Sequence, residues 1–127
     1  MNPWLIYDYL HPVHGNLMRE WCNRLQQKER AKLDNKIDAL EMHGRDLIPG
    51  IVAPTSIASI FKLKVQGQVK LRPMLCQGPG AGERAFTFLL GAKEVSWRLV
   101  PRSAPETAAE YRQDLIDHPE RRVLHDE

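Results

Sequence analysis

The sequence predicts an α+β fold: a small antiparallel sheet with two N-terminal helices packed on one face and a C-terminal helix. Three observations predict it. Apolar residues recur at helical spacing within residues 16–43. Strand-like alternation follows within residues 59–77 and 86–100. A second helical pattern, "SAPETAAEYRQDLID", closes the chain. At 127 residues the chain is long enough for one domain with a single core, read as residues 1–127 with an acidic, flexible tail over 117–127.

"WLIYDYL" (Trp4 to Leu10) is short, aromatic and apolar, and reads as the first strand. Asn16 is placed to cap the next helix, in which Leu17, Trp21 and Leu25 share a stripe. "QQKER" interrupts that stripe. Leu33, Ile37 and Leu40 begin another, which ends at Gly44, a suitable C′ residue. Two helices are therefore expected, parted near Gln27. "RDLIPGIVAPTS" reads as a loop because of its prolines and glycine. Strands are expected at about 59–65, 69–77 and 86–100, the last divided by a turn. "GPGAGER" is a hairpin loop. Ser103 and Glu106 have capping-box spacing at the start of the last helix, and Pro119 ends it.

The net charge of +2 conceals an asymmetry. Residues 1–59 balance seven Lys/Arg against seven Asp/Glu, whereas residues 60–102 hold eight basic and two acidic residues, and residues 103–127 three and seven. A basic field in the middle of the chain is the usual footprint of a polyanion partner. No apolar run approaches the roughly 20 residues of a membrane span, and no basic region precedes the first apolar residues, so a cytoplasmic protein is expected. Cys22 and Cys76 are too few for a disulfide framework. His11 and His14 flank Pro12 without a neighbouring carboxylate cluster, "GPGAGER" lacks a P-loop ending, and no metal or cofactor is expected. Trp4, Trp21 and Trp97 read as core anchors.

The basic excess centres on "IFKLKVQGQVKLRPMLC" (Ile60 to Cys76). A loop of Gln66, Gly67 and Gln68 sets Lys64 opposite Lys70 and Lys62 opposite Arg72. It leaves Phe61, Leu63, Val65, Val69 and Leu71 on the other face. Like charges directly opposite each other destabilise a sheet, and an anion in the groove would relieve that repulsion. A solvated sheet face is the plainer alternative. In "EVSWRLV", alternation places Arg98 on the same open face, giving five cations and no carboxylate there.

This layout resembles the RelE/ParE superfamily of toxins from toxin–antitoxin pairs, most closely the HigB-like branch common in phage-derived loci. "IYDY…VHGNLMREWCNRL" is similar to the family's first strand and helix, and "RAKLDNKIDALEMHGRDL" to its second helix. "IFKLKVQGQVKLRPML" is similar to its paired strands, and "APETAAEYRQDL" to its closing helix. The resemblance implies a RelE-like fold and a ribosome-dependent, metal-independent mRNA endoribonuclease (an mRNA interferase). In that chemistry a ribose 2′-hydroxyl attacks the adjacent phosphate. By the same resemblance Lys62 or Lys64 serves as base, and Arg72 and Arg98 stabilise the phosphate. Lys62, Lys64, Lys70, Arg72, Arg98 and Arg102 form the RNA-binding set. The implied partners are messenger RNA on the ribosome and a cognate antitoxin of helix-turn-helix type, with no membrane. Pro101 to Pro105 contains no Tyr or His, and Tyr111 reads as a packing residue. A second expectation therefore stands beside the first: a catalytically inactive or ParE-like module that inhibits a protein target or binds RNA without cutting it.

Overall fold

The computed structural model describes residues 3–80 and 82–126. The chain opens with β1 (Leu5–His11) and β2 (Gly15–Asn16), then α1 (Leu17–Asn23) and α2 (Gln27–His43). A 3-10 turn (Gly44–Leu47) leads into β3 (Val52–Pro54), β4 (Phe61–Leu63), β5 (Lys70–Leu71) and β6 (Met74–Gln77). β7 (Ala85–Leu90), β8 (Lys93–Val95), β9 (Arg98–Val100), α3 (Ala104–Asp117) and β10 (Arg122–Leu124) complete it. The main sheet runs β10-β1-β7-β6-β4-β3, with β2 paired to β1, and β5-β8-β9 form a separate ribbon.

The α+β class holds, and the two N-terminal helices form as expected. The Asn16 side chain accepts a hydrogen bond from the Arg19 N–H at 2.9 Å, capping α1. The polar stretch after Leu25 parts the helices. The Gln26 N–H donates to the Glu29 carboxylate at 3.0 Å, opening α2. Gly44 ends α2 at φ +51, and a Cβ there would meet the Trp4 ring at 2.1 Å. This position therefore needs glycine both for its backbone angle and for the indole packed on it.

One expectation about the sheet is corrected. The sheet is mixed rather than antiparallel, because β1 runs parallel to β7 with Leu5 opposite Ala85 and Asp8 opposite Phe88. The two N-terminal helices share one face, as expected, and α3 covers the other. Met18, Trp21, Leu33, Ile37 and Leu40 pack with Ile6, Leu63, Leu75, Phe86 and Phe88 on one face. Ala104, Ala108 and Leu115 of α3 pack with Tyr9, Ile60, Met74, Cys76 and Leu89 on the other. The reason is visible in β6 and β7, where nearly every residue is buried. Strands that hide both faces read as continuous apolar runs. Burying a side chain the size of Phe86 stabilises by about 2–3 kcal/mol, so both layers matter to the fold.

Smaller departures have local causes. Ser103 makes no side-chain capping bond at α3; its carbonyl instead accepts the Thr107 N–H at 2.9 Å. The 45–56 loop contains the short strand β3, which pairs with β4. The end of the chain, expected as a flexible tail, adds an edge strand: Arg122, Val123 and Leu124 pair with Tyr9, Asp8 and Tyr7. His125 then donates its backbone N–H to the Ile6 carbonyl at 2.9 Å. No helix among the described residues is long and apolar enough to cross a membrane.

Candidate nucleic-acid interface

The basic hairpin keeps its predicted parity but not its predicted register. Val65 bridges Leu71, and Lys62 lies opposite Met74. By continuity Lys64 faces Arg72, two residues along from the expected pairing. The loop widens to five residues, 66–70. Because the slip is by two, Leu63, Val65 and Leu71 still point into the core. The predicted opposition of Lys64 with Lys70, and of Lys62 with Arg72, does not occur.

Arg72 is not on an open face. It is 2 % exposed and donates to the carbonyls of Leu71 at 2.8 Å and Val65 at 3.4 Å, and to Gln66 Oε1 at 3.1 Å. Its Nε lies 3.4 Å from Glu94 Oε1. Lys70 Nζ lies 3.8 Å from the other oxygen of the same carboxylate. Glu94 therefore sits between two of the cations, and the expectation of a carboxylate-free face is overturned. β8 delivers it: Glu94 pairs with Lys70 across the ribbon. An arginine enclosed by four acceptors is a structural cation, unable to turn toward a phosphate without vacating a buried site.

The remaining predicted cations separate. Arg98 is exposed at the start of β9, opposite Val95, and Arg102 is exposed in the turn before α3. Strand alternation puts Arg98 and Lys70 on opposite faces of the ribbon, because Lys70 pairs with Glu94 and Arg98 with Val95. Lys62 is half-buried on β4 between Ala53 and Met74.

Lys64 gains new company. It lines a cleft of about 470 Å³ with Lys32, Asn35 and Lys36 of α2, and with Gln66 of the loop. Among the described residues Lys32, Lys36 and Lys64 make no ion pair, and no carboxylate lines this cleft. A second concavity of about 220 Å³ shares Lys32 and Val65 with the first and adds Lys28 and Gly67 to Val69. Its acid, Glu29, is engaged by the Gln26 N–H. A third, about 380 Å³, shares Gln68 and Val69 and reaches Lys70, Trp97 and the already paired Glu94. The three adjoin around the 66–69 loop and form a basic groove. The sequence signal for its helical wall was available: Lys28, Lys32 and Lys36 are spaced four apart, so they share one face of α2.

Trp97 ends this groove. It was expected in the core and is instead 86 % exposed. Val95 pairs with Arg98, so Ser96 and Trp97 form a two-residue turn, with φ +50 and +67. Such turns favour Asn-Gly, and left-handed angles at side-chain-bearing residues cost on the order of 1 kcal/mol each. The strained turn presents an indole to solvent with Lys70 Nζ 4.5 Å from its ring centroid. Trp4 and Trp21 are buried, as expected.

The His11 and His125 imidazoles are engaged elsewhere, and both thiols are buried. His125 Nδ1 lies 2.8 Å from the fully buried carboxylate of Asp8, at the β10 edge of the sheet, while Lys62 lies on β4 near the other edge. Asn16 donates to the second oxygen of Asp8 at 3.0 Å. Burial works against the charged His125 ring, but the Asp8 hydrogen bond and charge outweigh it and raise the pKa above its ordinary 6.5. His11 Nδ1 accepts the N–H groups of Val13 and His14. Tyr111 stacks on Tyr9 at 5.1 Å, which fits a packing role. Burial pushes the Cys22 and Cys76 thiols up to about 12, far from nucleophilic range. No cluster of three metal-ligating side chains occurs among the described residues.

No family model, curated protein or solved structure matches the chain.

Proposed function

We propose that this protein binds single-stranded RNA along the groove from Lys36 and Lys64 to Trp97. We further propose that it does so as the toxin of a toxin–antitoxin pair, on the RelE-like plan its sequence resembles. One observation carries the reading: three lysines without ion-pair partners line a cleft that holds no carboxylate. Such a site is completed by phosphates, whose counterions it releases. Trp97 supports it, because an exposed indole beside cations is a stacking surface for an unpaired base. On this reading the target is translated messenger RNA, and the neutralising partner is a small helix-turn-helix antitoxin.

Binding is better supported than cutting. Arg72, the residue expected to stabilise a cleaved phosphate, is buried against Glu94. Among the described residues, no imidazole or phenol lines the Lys64 cleft. If the chain is an endoribonuclease, Lys62 and Lys64 carry the proton transfer and the groove lysines hold the phosphates. A reconstituted translation system separates the two. We expect the protein to bind message and stall translation while the message stays intact; specific cuts would restore the nuclease reading. Failure to bind RNA at low salt would remove both.

A further inference from the structure

A second cationic cleft lies away from the groove, where β4 begins and β6 ends. It encloses about 510 Å³, and its walls include Arg45 from the turn after α2, Ser59, Phe61, Gln77 of β6 and Arg112 of α3. Arg45 hydrogen-bonds the side-chain carbonyl of Gln77, whose amide donates to the Glu83 carbonyl at 3.3 Å. That chain steadies one guanidinium on the wall. No carboxylate lines this cleft among the described residues; that of nearby Glu83 is engaged by Arg122 at 2.9 Å and the Gly80 N–H at 2.9 Å.

Arg112 supplies the decisive observation. Among the described residues, three arginines bury their Nε atoms without a hydrogen-bond partner: Arg30, Arg72 and Arg112. Arg30 lies 3.6 Å from Asp34 and Arg72 lies 3.4 Å from Glu94, so both have a counter-charge. Arg112 has neither ion pair nor hydrogen bond among the described residues. Arg112 is half-buried with only its Nε enclosed; a guanidinium on a cleft wall without a counter-charge has an anion as its natural complement. Two guanidiniums facing one cleft supply two positive charges and several forked donors, which suits a tetrahedral dianion better than a single carboxylate. Ser59 is exposed on the same rim and held at φ +70, a left-handed angle that a serine adopts at a cost.

We propose that this cleft is a binding site for a phosphate-class dianion, either inorganic phosphate or a phosphomonoester. The site is independent of the lysine groove: it shares no lining residue with the three concavities there. Phe61 adds a ring to its wall, beside which the organic part of a monoester would lie.

The test is calorimetric titration at constant ionic strength with inorganic phosphate and, separately, adenosine 5′-monophosphate. Both should bind. A tighter monophosphate identifies the monoester as the preferred form, and equal affinities identify the free ion. Arg112→Gln and Arg45→Gln should each weaken binding at least about tenfold, as expected for loss of a charge-assisted fork. Arg45 is exposed, so its variant should retain the wild-type circular dichroism spectrum even if Arg112→Gln does not fold. Absence of a titration, or wild-type affinity in Arg45→Gln, overturns the proposal. So does an equal loss in Lys32→Ala/Lys36→Ala, which would place the anion in the groove instead.

Discussion

Replacing Glu94 by alanine is predicted to cost the fold about 3 kcal/mol. Arg72 is 2 % exposed, and Glu94 provides its counter-charge at 3.4 Å. Removing one member of a buried pair typically costs about 3–5 kcal/mol, because the other charge stays buried. The Glu94 side chain is 17 % exposed, and three neutral acceptors remain around the guanidinium, which favours the low end of that range. The contact from Lys70 adds less than about 1 kcal/mol, because its side chain is 39 % exposed. For a chain of this size the loss corresponds to roughly 10 °C in Tm. Urea unfolding followed by far-UV circular dichroism measures it. Arg72→Met with Glu94→Ala removes the stranded charge and should recover more than half of the loss. The reasoning fails if Glu94→Ala unfolds within about 0.5 kcal/mol of wild type, or if the double variant is no more stable than Glu94→Ala; the lower figure is the usual effect of a neutral surface change.

Other outcomes follow from the same structure. Trp97→Ala should leave the unfolding midpoint unchanged or slightly raised, and should weaken binding of a short oligoribonucleotide about tenfold, measured by fluorescence anisotropy. Asn16→Ala should destabilise by about 1 kcal/mol in urea, through loss of the α1 cap and of the donor to Asp8. The His125–Asp8 pair should make docking of β10 pH-dependent. Because the folded His125 pKa is raised, its contribution is complete below the unfolded value of about 6.5 and is lost as pH rises through the folded value. Hydrogen exchange at the His125 amide, which bonds the Ile6 carbonyl, should therefore quicken across that window beyond the intrinsic base-catalysed rise, and His125→Ala should abolish the excess.

Much of the fold was legible because its signals are local. The Asn16 cap, the two apolar stripes and Gly44 set the helices within a few residues. Hairpin parity was legible for the same reason: a period of two decides which face is buried. It does not choose between registers that differ by two, and the widened 66–70 loop shows that limit. Glu94 could not be found from the hairpin, since it lies 22 positions beyond Arg72 in the chain and arrives only when β8 pairs with β5. Trp97 looked like a core residue because "VSWRL" alternates as a strand does, while the chain actually reverses at Ser96 and Trp97. The parallel pairing of β1 with β7 joins segments some 80 residues apart and leaves no mark in either. The runs "PMLC" and "AFTFLL" carry the signal of a sheet covered on both sides, which a reading based on alternation passes over.

The candidate site shifted by the same logic. The hairpin suggested a cationic strip, and the structure divides it: Arg72 turns inward as a structural cation, while Lys64 joins lysines of α2. The most direct measurement of the resulting account is the salt dependence of RNA affinity. The probe is a 5′-hydroxyl oligoribonucleotide, compared between wild type and a Lys32→Ala/Lys36→Ala/Lys64→Ala variant. Single-stranded binding loses about 0.7 of log–log slope per phosphate contact removed, so the account predicts a slope shallower by about 2 and correspondingly weaker binding at low salt. An unchanged slope and affinity in the triple variant would contradict it.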